Sequence, residues 1–164
     1  MSRDIDWGSL GFAYMKTDYR YVSYYKNGAW DEGKLVTDDS ITLNECACVF
    51  QYCQACFEGL KPYSTKAGRI VSFRPDLNAE RMACSAKRLV MPPFPEKRFI
   101  EAVRALVKAN KDFVPPFGSG ATLYIRPFMI GSNSVIGVKP ADEFEFRMFC
   151  TPVGPYFKGG AKPI

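Results

Sequence analysis

The sequence feature that most constrains the fold is an apolar strand over residues 121–131 with an arginine in its middle. Successive side chains of a strand point to opposite faces, so Tyr124 and Arg126 share one face while Leu123 and Ile125 share the other. The pattern therefore predicts a phenol and a guanidinium lying side by side in apolar surroundings.

Arg126 needs an anionic partner, because burying a guanidinium without one is costly. An acidic side chain of the protein and an anionic ligand would both meet this need, and the pattern alone favours neither. Pro127 follows Arg126 and has no backbone N–H, which predicts a sheet edge or a bulge at this point.

The amount of apolar sequence is typical of one compact domain. The chain has 164 residues, of which 47% are hydrophobic and 15% aromatic, enough for a sizeable core. The net charge of +5 is scattered along the chain without a basic cluster, so we expect no nucleic-acid partner.

Neither a membrane span nor a secretory signal is visible in the sequence. No run of about 18 apolar residues occurs, and residues 1–6 carry acids where a signal peptide has a basic and then an apolar run. We therefore expect a cytoplasmic protein with no membrane partner.

Six cysteines stand out, and four of them fall within eleven residues: Cys46, Cys48, Cys53 and Cys56. Zinc modules normally separate their ligand pairs by a longer loop, and this chain has no histidine. Free cysteine packs as a small hydrophobe, so the cluster predicts buried thiols and no metal site. A thiol or zinc module is the alternative.

Local signals predict two hairpins and two helices. Asn27-Gly28 predicts a two-residue turn after a strand over 19–26, and residues 66–68 predict a second turn between 60–64 and 69–73. Pro75 and Asp76 predict the start of a helix, with Asp76 as its N-cap. Its apolar stripe is Ala79, Met82, Ala83, Ala86, Leu89 and Val90.

The remaining segments complete the expected domain. Residues 1–19 are predicted to form an irregular arm with two exposed aromatics, Trp7 and Phe12, and residues 44–53 to contain a short helical turn. A second helix is predicted over 96–113, buried through Phe99, Ile100, Val103, Leu106 and Val107. With a last strand over 143–151, the pattern indicates an α+β fold, with a mostly antiparallel sheet and two central helices.

Arg81 in the second turn of the first predicted helix is a candidate for binding an anion. The free N–H groups and dipole of a helix start favour anions, and an arginine there can add a bidentate contact to a phosphate. A solvated surface arginine is the commoner outcome for such a position.

Four motifs give the sequence a family resemblance. They are residues 57–61 (FEGLK), 73–82 (FRPDLNAERM), 123–127 (LYIRP) and 153–157 (VGPYF). In this order they resemble the branched-chain amino acid aminotransferases, which are pyridoxal-phosphate enzymes of fold type IV. The resemblance implies a transaminase that moves an amino group between leucine, isoleucine or valine and 2-oxoglutarate.

The resemblance also implies site residues and partners. Arg81 matches the arginine that holds the phosphate of pyridoxal 5'-phosphate. Positions that match substrate-pocket residues are Phe57, Tyr124, Arg126 and Tyr156, with Tyr14 matched only loosely. Tyr52 and Val138 match residues that reach into the pocket of the partner subunit, which implies a homodimer.

The same resemblance implies that this chain is the small N-terminal domain of a two-domain enzyme. We expect that domain to cover residues 1–157, and residues 158–164 to begin the interdomain linker. The large C-terminal domain, absent from this chain, would carry the lysine that binds the cofactor covalently and the carboxylate facing its pyridine nitrogen. No catalytic residue is therefore assigned here, and the segment alone is expected to be inactive.

Two other enzymes of the same fold are alternatives, a D-amino acid aminotransferase and an aminodeoxychorismate lyase. The FEGLK and LYIRP motifs favour the branched-chain enzyme over both.

Overall fold

A computed structural model of the protein describes residues 4–156, which form an α+β domain. Two helices pack on one face of a six-stranded antiparallel sheet, and a separate two-stranded hairpin lies beside them. The predicted linker over 158–164, together with Phe157, lies outside the described residues.

The sequence folds into eight strands, three α-helices and one 3-10 turn over the described residues. The strands are β1 (Arg20–Lys26), β2 (Ala29–Trp30), β3 (Lys34–Val36), β4 (Ala55–Phe57), β5 (Pro62–Ser64), β6 (Ile70–Ser72), β7 (Thr122–Gly131) and β8 (Phe144–Val153). The helices are α1 (Cys48–Tyr52), α2 (Pro75–Arg88) and α3 (Glu96–Ala109), and the 3-10 turn is Lys111–Phe113.

The arginine-bearing strand β7 lies inside the main sheet, whose order is β2-β1-β8-β7-β4, with β3 also paired to β1. It pairs with β8 over its whole length, from Thr122 opposite Val153 to Gly131 opposite Phe144. Leu123 and Ile125 are fully buried against the helices, while Tyr124 and Arg126 lie on the other face. The predicted division of side chains between the two faces is confirmed.

Pro127 does not mark a sheet edge, so that prediction is wrong. It lies opposite Met148 of β8, and on the other side its carbonyl accepts a hydrogen bond from the Glu58 N–H at 2.9 Å. In an antiparallel strand the N–H and C=O of a residue point to the same neighbour, so the proline removes only one bond from the β4 side of the ladder. Strand β4 ends one residue earlier, at Phe57.

The core fills the space between the sheet and helices α2 and α3. Phe99 and Leu106 of α3 are at most 1% exposed, and Phe94 stacks on Phe146 of β8 with ring centroids 3.9 Å apart. Both predicted hairpins form. In the first, Asn27 and Gly28 adopt the positive φ angles of 53° and 83° that their turn requires.

The predicted N-cap of α2 is wrong. Arg74, not Asp76, is the N-cap residue, in the left-handed conformation with φ 43°, and Pro75 takes the first helical position. The Asp76 carboxylate is held by the Arg74 side chain at 2.7 Å and caps no backbone group. Proline at the first position fixes the boundary and places Asp76 inside the first turn.

Two other predicted boundaries move inward. Helix α2 ends at Arg88, so Leu89 and Val90 leave the apolar stripe and are 41% and 66% exposed. Val90 adopts a positive φ of 55°, which ends the helix sharply. The helix predicted over 96–113 ends at Ala109, and Lys111–Phe113 form the 3-10 turn that follows.

No helix among residues 4–156 combines the length and the apolar character that crossing a bilayer requires.

Candidate functional site

A guanidinium, a phenol and a phenyl ring meet on the sheet face that points away from the helices. The Nε of Arg126 donates to the Tyr124 hydroxyl at 3.0 Å. Its guanidinium carbon lies 4.4 Å from the centre of the Phe57 ring and 5.2 Å from that of the Tyr124 ring. Three of the predicted substrate residues are therefore in direct contact, through cation–π and hydrogen-bond interactions.

The positive charge of Arg126 is not neutralised by a neighbouring acid. Among residues 4–156, no carboxylate lies within 4.0 Å of its guanidinium. A nearly buried acid–arginine pair on this side of the sheet joins Glu145 to Arg147 in the neighbouring strand and does not include Arg126. Of the two possibilities left open by the sequence, this geometry favours an anionic ligand over a structural acid.

Gly59 brings the edge of the sheet close to Tyr124. The segment after β4 continues along β7, with two hydrogen bonds between Leu60 and Ile125 at 2.8 and 3.2 Å. A Cβ added at Gly59 would lie 2.5 Å from the Tyr124 hydroxyl oxygen. Only glycine therefore leaves room for the tyrosine to lie flat and reach Arg126.

The N-terminal arm adds a residue that sequence analysis missed, Phe12. Its ring lies 5.6 Å from that of Tyr124 and packs edge-on against Tyr156 at 5.0 Å. The arm is held by a hydrogen bond from the Gly154 N–H to the Gly11 carbonyl at 2.9 Å. Phe12 thereby joins Tyr156 to the arginine group. An aromatic residue in an irregular arm carried no local signal of this contact.

Arg81 lies on the opposite face of the sheet edge, where α2 begins. Its Nε and Nη2 donate to the two oxygens of Glu58 at 2.9 and 2.8 Å. The hydrogen bond and charge of Glu58 raise the pKa of Arg81 above its ordinary value. The Arg81 side chain is 62% exposed while that of Glu58 is 10% exposed, so the pair is anchored at its acidic end.

The free side of Arg81 is suited to a phosphate. A guanidinium has five N–H groups, and the bidentate pair with Glu58 uses two of them. Three N–H groups of this 62% exposed side chain therefore remain for a ligand, in the planar arrangement that phosphate oxygens prefer. The residues present therefore fit the phosphate of pyridoxal phosphate.

Tyr52 and Val138 form a separate exposed group. The Tyr52 hydroxyl donates to the carbonyl of Ile136, and Val138 in the same loop is 93% exposed. This loop follows the Gly131 end of β7, about 17 Å along the strand from Arg126 at 3.3 Å per residue. The structure brings these two predicted residues near one another, apart from the arginine group.

Tyr14 belongs to a neighbouring cavity and lies before β1, outside the first strand. The cavity of about 250 Å³ is lined by Tyr14, Arg20, Asp39, Ile41, Phe128, Arg147 and Phe149. Within it the Arg20 side chain is almost fully buried and donates to the Thr37 carbonyl at 2.7 Å. Its distance from the Asp39 carboxylate is 3.8 Å.

All six cysteines are free thiols, and three of them, Cys48, Cys56 and Cys150, are buried. Burial raises the pKa of the Cys56 and Cys150 thiols to about 11, so both stay protonated and unreactive at neutral pH. Within residues 4–156, no three Cys, Asp or Glu side chains gather where they could hold a metal ion. Of the four clustered cysteines that were predicted to be buried, Cys48 and Cys56 are buried and Cys46 is half-buried. Cys53 is exposed, so the prediction is wrong for that position.

Proteins of known function share much of this sequence. The chain is 55% identical over 161 residues to the branched-chain-amino-acid aminotransferase of Haemophilus influenzae, covering 98% of the chain and 47% of that protein. It is 49% identical over 157 residues to the same enzyme of Helicobacter pylori, covering 96% and 46%. The chain spans about half the length of these relatives. No model of a protein family matches it.

Solved structures share the fold. The branched-chain aminotransferase of Escherichia coli superposes with a TM-score of 0.66 at 23% identity, over 86% of this chain and 41% of that one. The branched-chain aminotransferase of Thermobaculum terrenum, solved in its pyridoxal-phosphate form, superposes with a TM-score of 0.60 at 20% identity, over 84% and 40%.

Proposed function

Because this chain belongs to the branched-chain amino acid aminotransferase family, we propose that it is the small N-terminal domain of such an enzyme. The complete protein would move an amino group between leucine, isoleucine or valine and 2-oxoglutarate, with pyridoxal 5'-phosphate as cofactor. The relatives do not favour the D-amino acid aminotransferase, the aminodeoxychorismate lyase or the thiol module. A cytoplasmic location stays a prediction.

The observation that carries this proposal is the unneutralised charge of Arg126 among aromatic groups. A transaminase of this specificity must accept a branched aliphatic chain in one half-reaction and a second carboxylate in the other. Phe57 and Tyr156 supply apolar walls, and Arg126 beside Tyr124 supplies the cation. The cation–π contacts hold the guanidinium without neutralising its charge, so both kinds of side chain can be accommodated.

The remaining residues have roles in binding. Arg81 would hold the cofactor phosphate, with Glu58 on its other side. When bound, pyridoxal phosphate supplies the electron-withdrawing ring that amino-group exchange needs. Tyr52 and Val138 would reach the pocket of a second subunit in a homodimer, which is consistent with their position away from Arg126 and with the exposure of Val138.

The test is Arg126→Met in the full-length enzyme, with each half-reaction followed by the absorbance of the bound cofactor. If Arg126 receives the distal carboxylate, kcat/KM for glutamate falls about 10- to 100-fold, the value of a hydrogen bond to a charged group. The value for leucine stays within about threefold, because leucine has no second carboxylate. Met keeps an apolar side chain of similar length, so the aromatic packing is disturbed little.

Arg104→Met is the matched control, since it removes an exposed arginine of α3 and leaves both half-reactions unchanged. Equal losses for glutamate and leucine would show that Arg126 holds the carboxylate common to all amino acids, or is structural. A donor panel with D-amino acids and with aminodeoxychorismate tests the two alternative enzymes of this fold.

A further inference from the structure

The Glu58 carboxylate, next to helix α2, accepts four hydrogen bonds. Its two oxygens accept hydrogen bonds from Arg81 at 2.9 and 2.8 Å, from the Asn78 amide at 2.9 Å and from the Gly59 N–H at 3.3 Å. The Asn78 amide also donates to the Gly59 carbonyl at 3.1 Å. An acid with so many donors is fixed in place, although it lies at the end of a strand.

The backbone beneath Glu58 is fixed as well. Its N–H donates to the Pro127 carbonyl at 2.9 Å, and two residues later Leu60 exchanges hydrogen bonds with Ile125. The backbone that carries the carboxylate is therefore held against strand β7 on both sides of Gly59. In contrast, Arg81 extends from an exposed helix face and, among residues 4–156, Glu58 is the only acid within 4.0 Å of its guanidinium.

We propose that Glu58 is a positioning residue for the anion site, which holds the guanidinium of Arg81 so that its three free N–H groups face the cofactor phosphate. This inference rests on the proposed function, because it takes the anion to be the phosphate of pyridoxal phosphate. The proposal assigns an acidic residue to an anion-binding site, where cationic groups alone would be expected.

Two opposing effects decide the sign of the Glu58 contribution. Its negative charge repels a phosphate, but that charge is shared among four N–H donors, two of them on the cationic guanidinium of Arg81, and lies beyond that guanidinium. Without Glu58, a long and 62% exposed arginine side chain would have to be ordered by the phosphate itself. The ordering effect is the larger one, so removing Glu58 weakens phosphate binding.

The test measures the dissociation constants of pyridoxal phosphate and of unphosphorylated pyridoxal with full-length apoenzyme. Glu58→Gln keeps the size of the side chain but removes the charge and one of the two bonds to Arg81. We expect pyridoxal phosphate to bind about five- to tenfold more weakly, the loss of one modest hydrogen bond, and pyridoxal affinity to change less than about twofold. Glu58→Ala, which removes both bonds, has at least the same effect.

Asp76→Asn is the matched control, because both carboxylate oxygens of Asp76, in the first turn of the same helix, accept hydrogen bonds from the Arg74 guanidinium. It leaves the affinity for pyridoxal phosphate unchanged. In a background of Arg81→Ala, which itself weakens pyridoxal phosphate binding, Glu58→Gln causes no further loss, since Glu58 then has nothing to orient.

Three outcomes overturn the inference: unchanged or tighter binding of pyridoxal phosphate by Glu58→Ala, equal losses for pyridoxal, or additive losses in the double variant. The equal losses would show a structural role instead. If the wild-type enzyme does not bind pyridoxal phosphate, the proposed function itself fails. If it binds and Glu58 has no effect, only the role of Glu58 fails.

Discussion

Two arginines of the candidate site are held in different ways. Arg126 lies among aromatic rings and a phenol, so its charge remains available to attract an anion over a distance. Arg81 is paired with Glu58 in a unit of no net charge, so it would bind an anion through the direction of its N–H groups. The first arrangement suits a substrate that comes and goes, and the second a cofactor that stays.

The buried thiols provide a residue-scale prediction about reactivity and pH. At pH 8, iodoacetamide should leave Cys48, Cys56 and Cys150 unmodified in the folded protein, because they are buried. After unfolding, all six cysteines should be modified. Peptide mass spectrometry measures each site, and modification of a buried cysteine in the folded protein would contradict the packing role.

Two of these thiols, Cys56 and Cys150, affect stability at alkaline pH. In the unfolded chain both ionise near their ordinary pKa of 9.0, whereas in the folded state burial raises the pKa of each to about 11. The unfolded state therefore loses protons first, and the free energy of unfolding falls as the pH rises from about 9 to about 11. Urea denaturation across this range should show a shallower decline for Cys150→Ala than for the wild type.

At the scale of elements, the N-terminal arm packs tightly against the backbone at Gly154, directly after β8. A Cβ added at Gly154 would lie 1.8 Å from the Leu10 carbonyl oxygen, which belongs to the backbone and cannot rotate away. Gly154→Ala should therefore displace the arm and move Phe12 from its place between Tyr124 and Tyr156. We expect a loss of about 1 to 3 kcal/mol in the free energy of unfolding, as for other overpacked sites.

Gly11→Ala is the control for that prediction, because a Cβ at Gly11 meets no atom within 4 Å. Chemical denaturation measures both variants. Equal stability of Gly154→Ala and Gly11→Ala would mean that the arm does not pack on Gly154.

Elements with strong local signals could be predicted from the sequence. The alternation of β7 placed Tyr124 and Arg126 on one face because strand periodicity is fixed by the backbone, and Asn27-Gly28 specified its own turn. The left-handed N-cap at Arg74 could not be predicted, since arginine has no preference for that conformation.

Contacts between segments that are distant along the chain also could not be predicted from local sequence patterns. Phe12 is 112 residues from Tyr124 along the chain, and only the folded arm shows that they meet. The choice between an acid and a ligand as the partner of Arg126 likewise required knowledge of the sheet pairing, because no local pattern reveals which acids lie nearby.

For the whole molecule, the most informative feature is the exposure of the candidate pocket. Phe57 and Tyr156 beside the arginine group are 62% and 66% exposed in the described domain, and Val138 in the separate loop is 93% exposed. Exposed apolar side chains that group on a surface are typical of sites that bind something else. The proposed large domain and partner subunit would cover them.

Residues 1–164 expressed alone should therefore not transaminate when pyridoxal phosphate and any amino donor are added. The family resemblance assigns the covalent lysine and the pyridine-facing acid to the other domain, and losing both removes the chemistry itself. Turnover assays measure the result, and size-exclusion chromatography should show association through the exposed aromatic surface. Activity that disappears on replacing a lysine of this segment would contradict the two-domain proposal, whereas activity restored by adding the remaining half would support it.

The side chains of residues 57–60 point alternately to the two faces of the sheet, which restricts insertions and deletions in this segment. Phe57 and Gly59 face the Arg126 side of the sheet, while Glu58 and Leu60 face the helices, so one short segment would serve the two proposed binding sites at once. A single-residue insertion or deletion would exchange the two faces and disrupt both sites together. The exposed turn over 66–68 contributes to neither proposed site. We therefore expect insertions and deletions in this half of the domain to be tolerated at that turn.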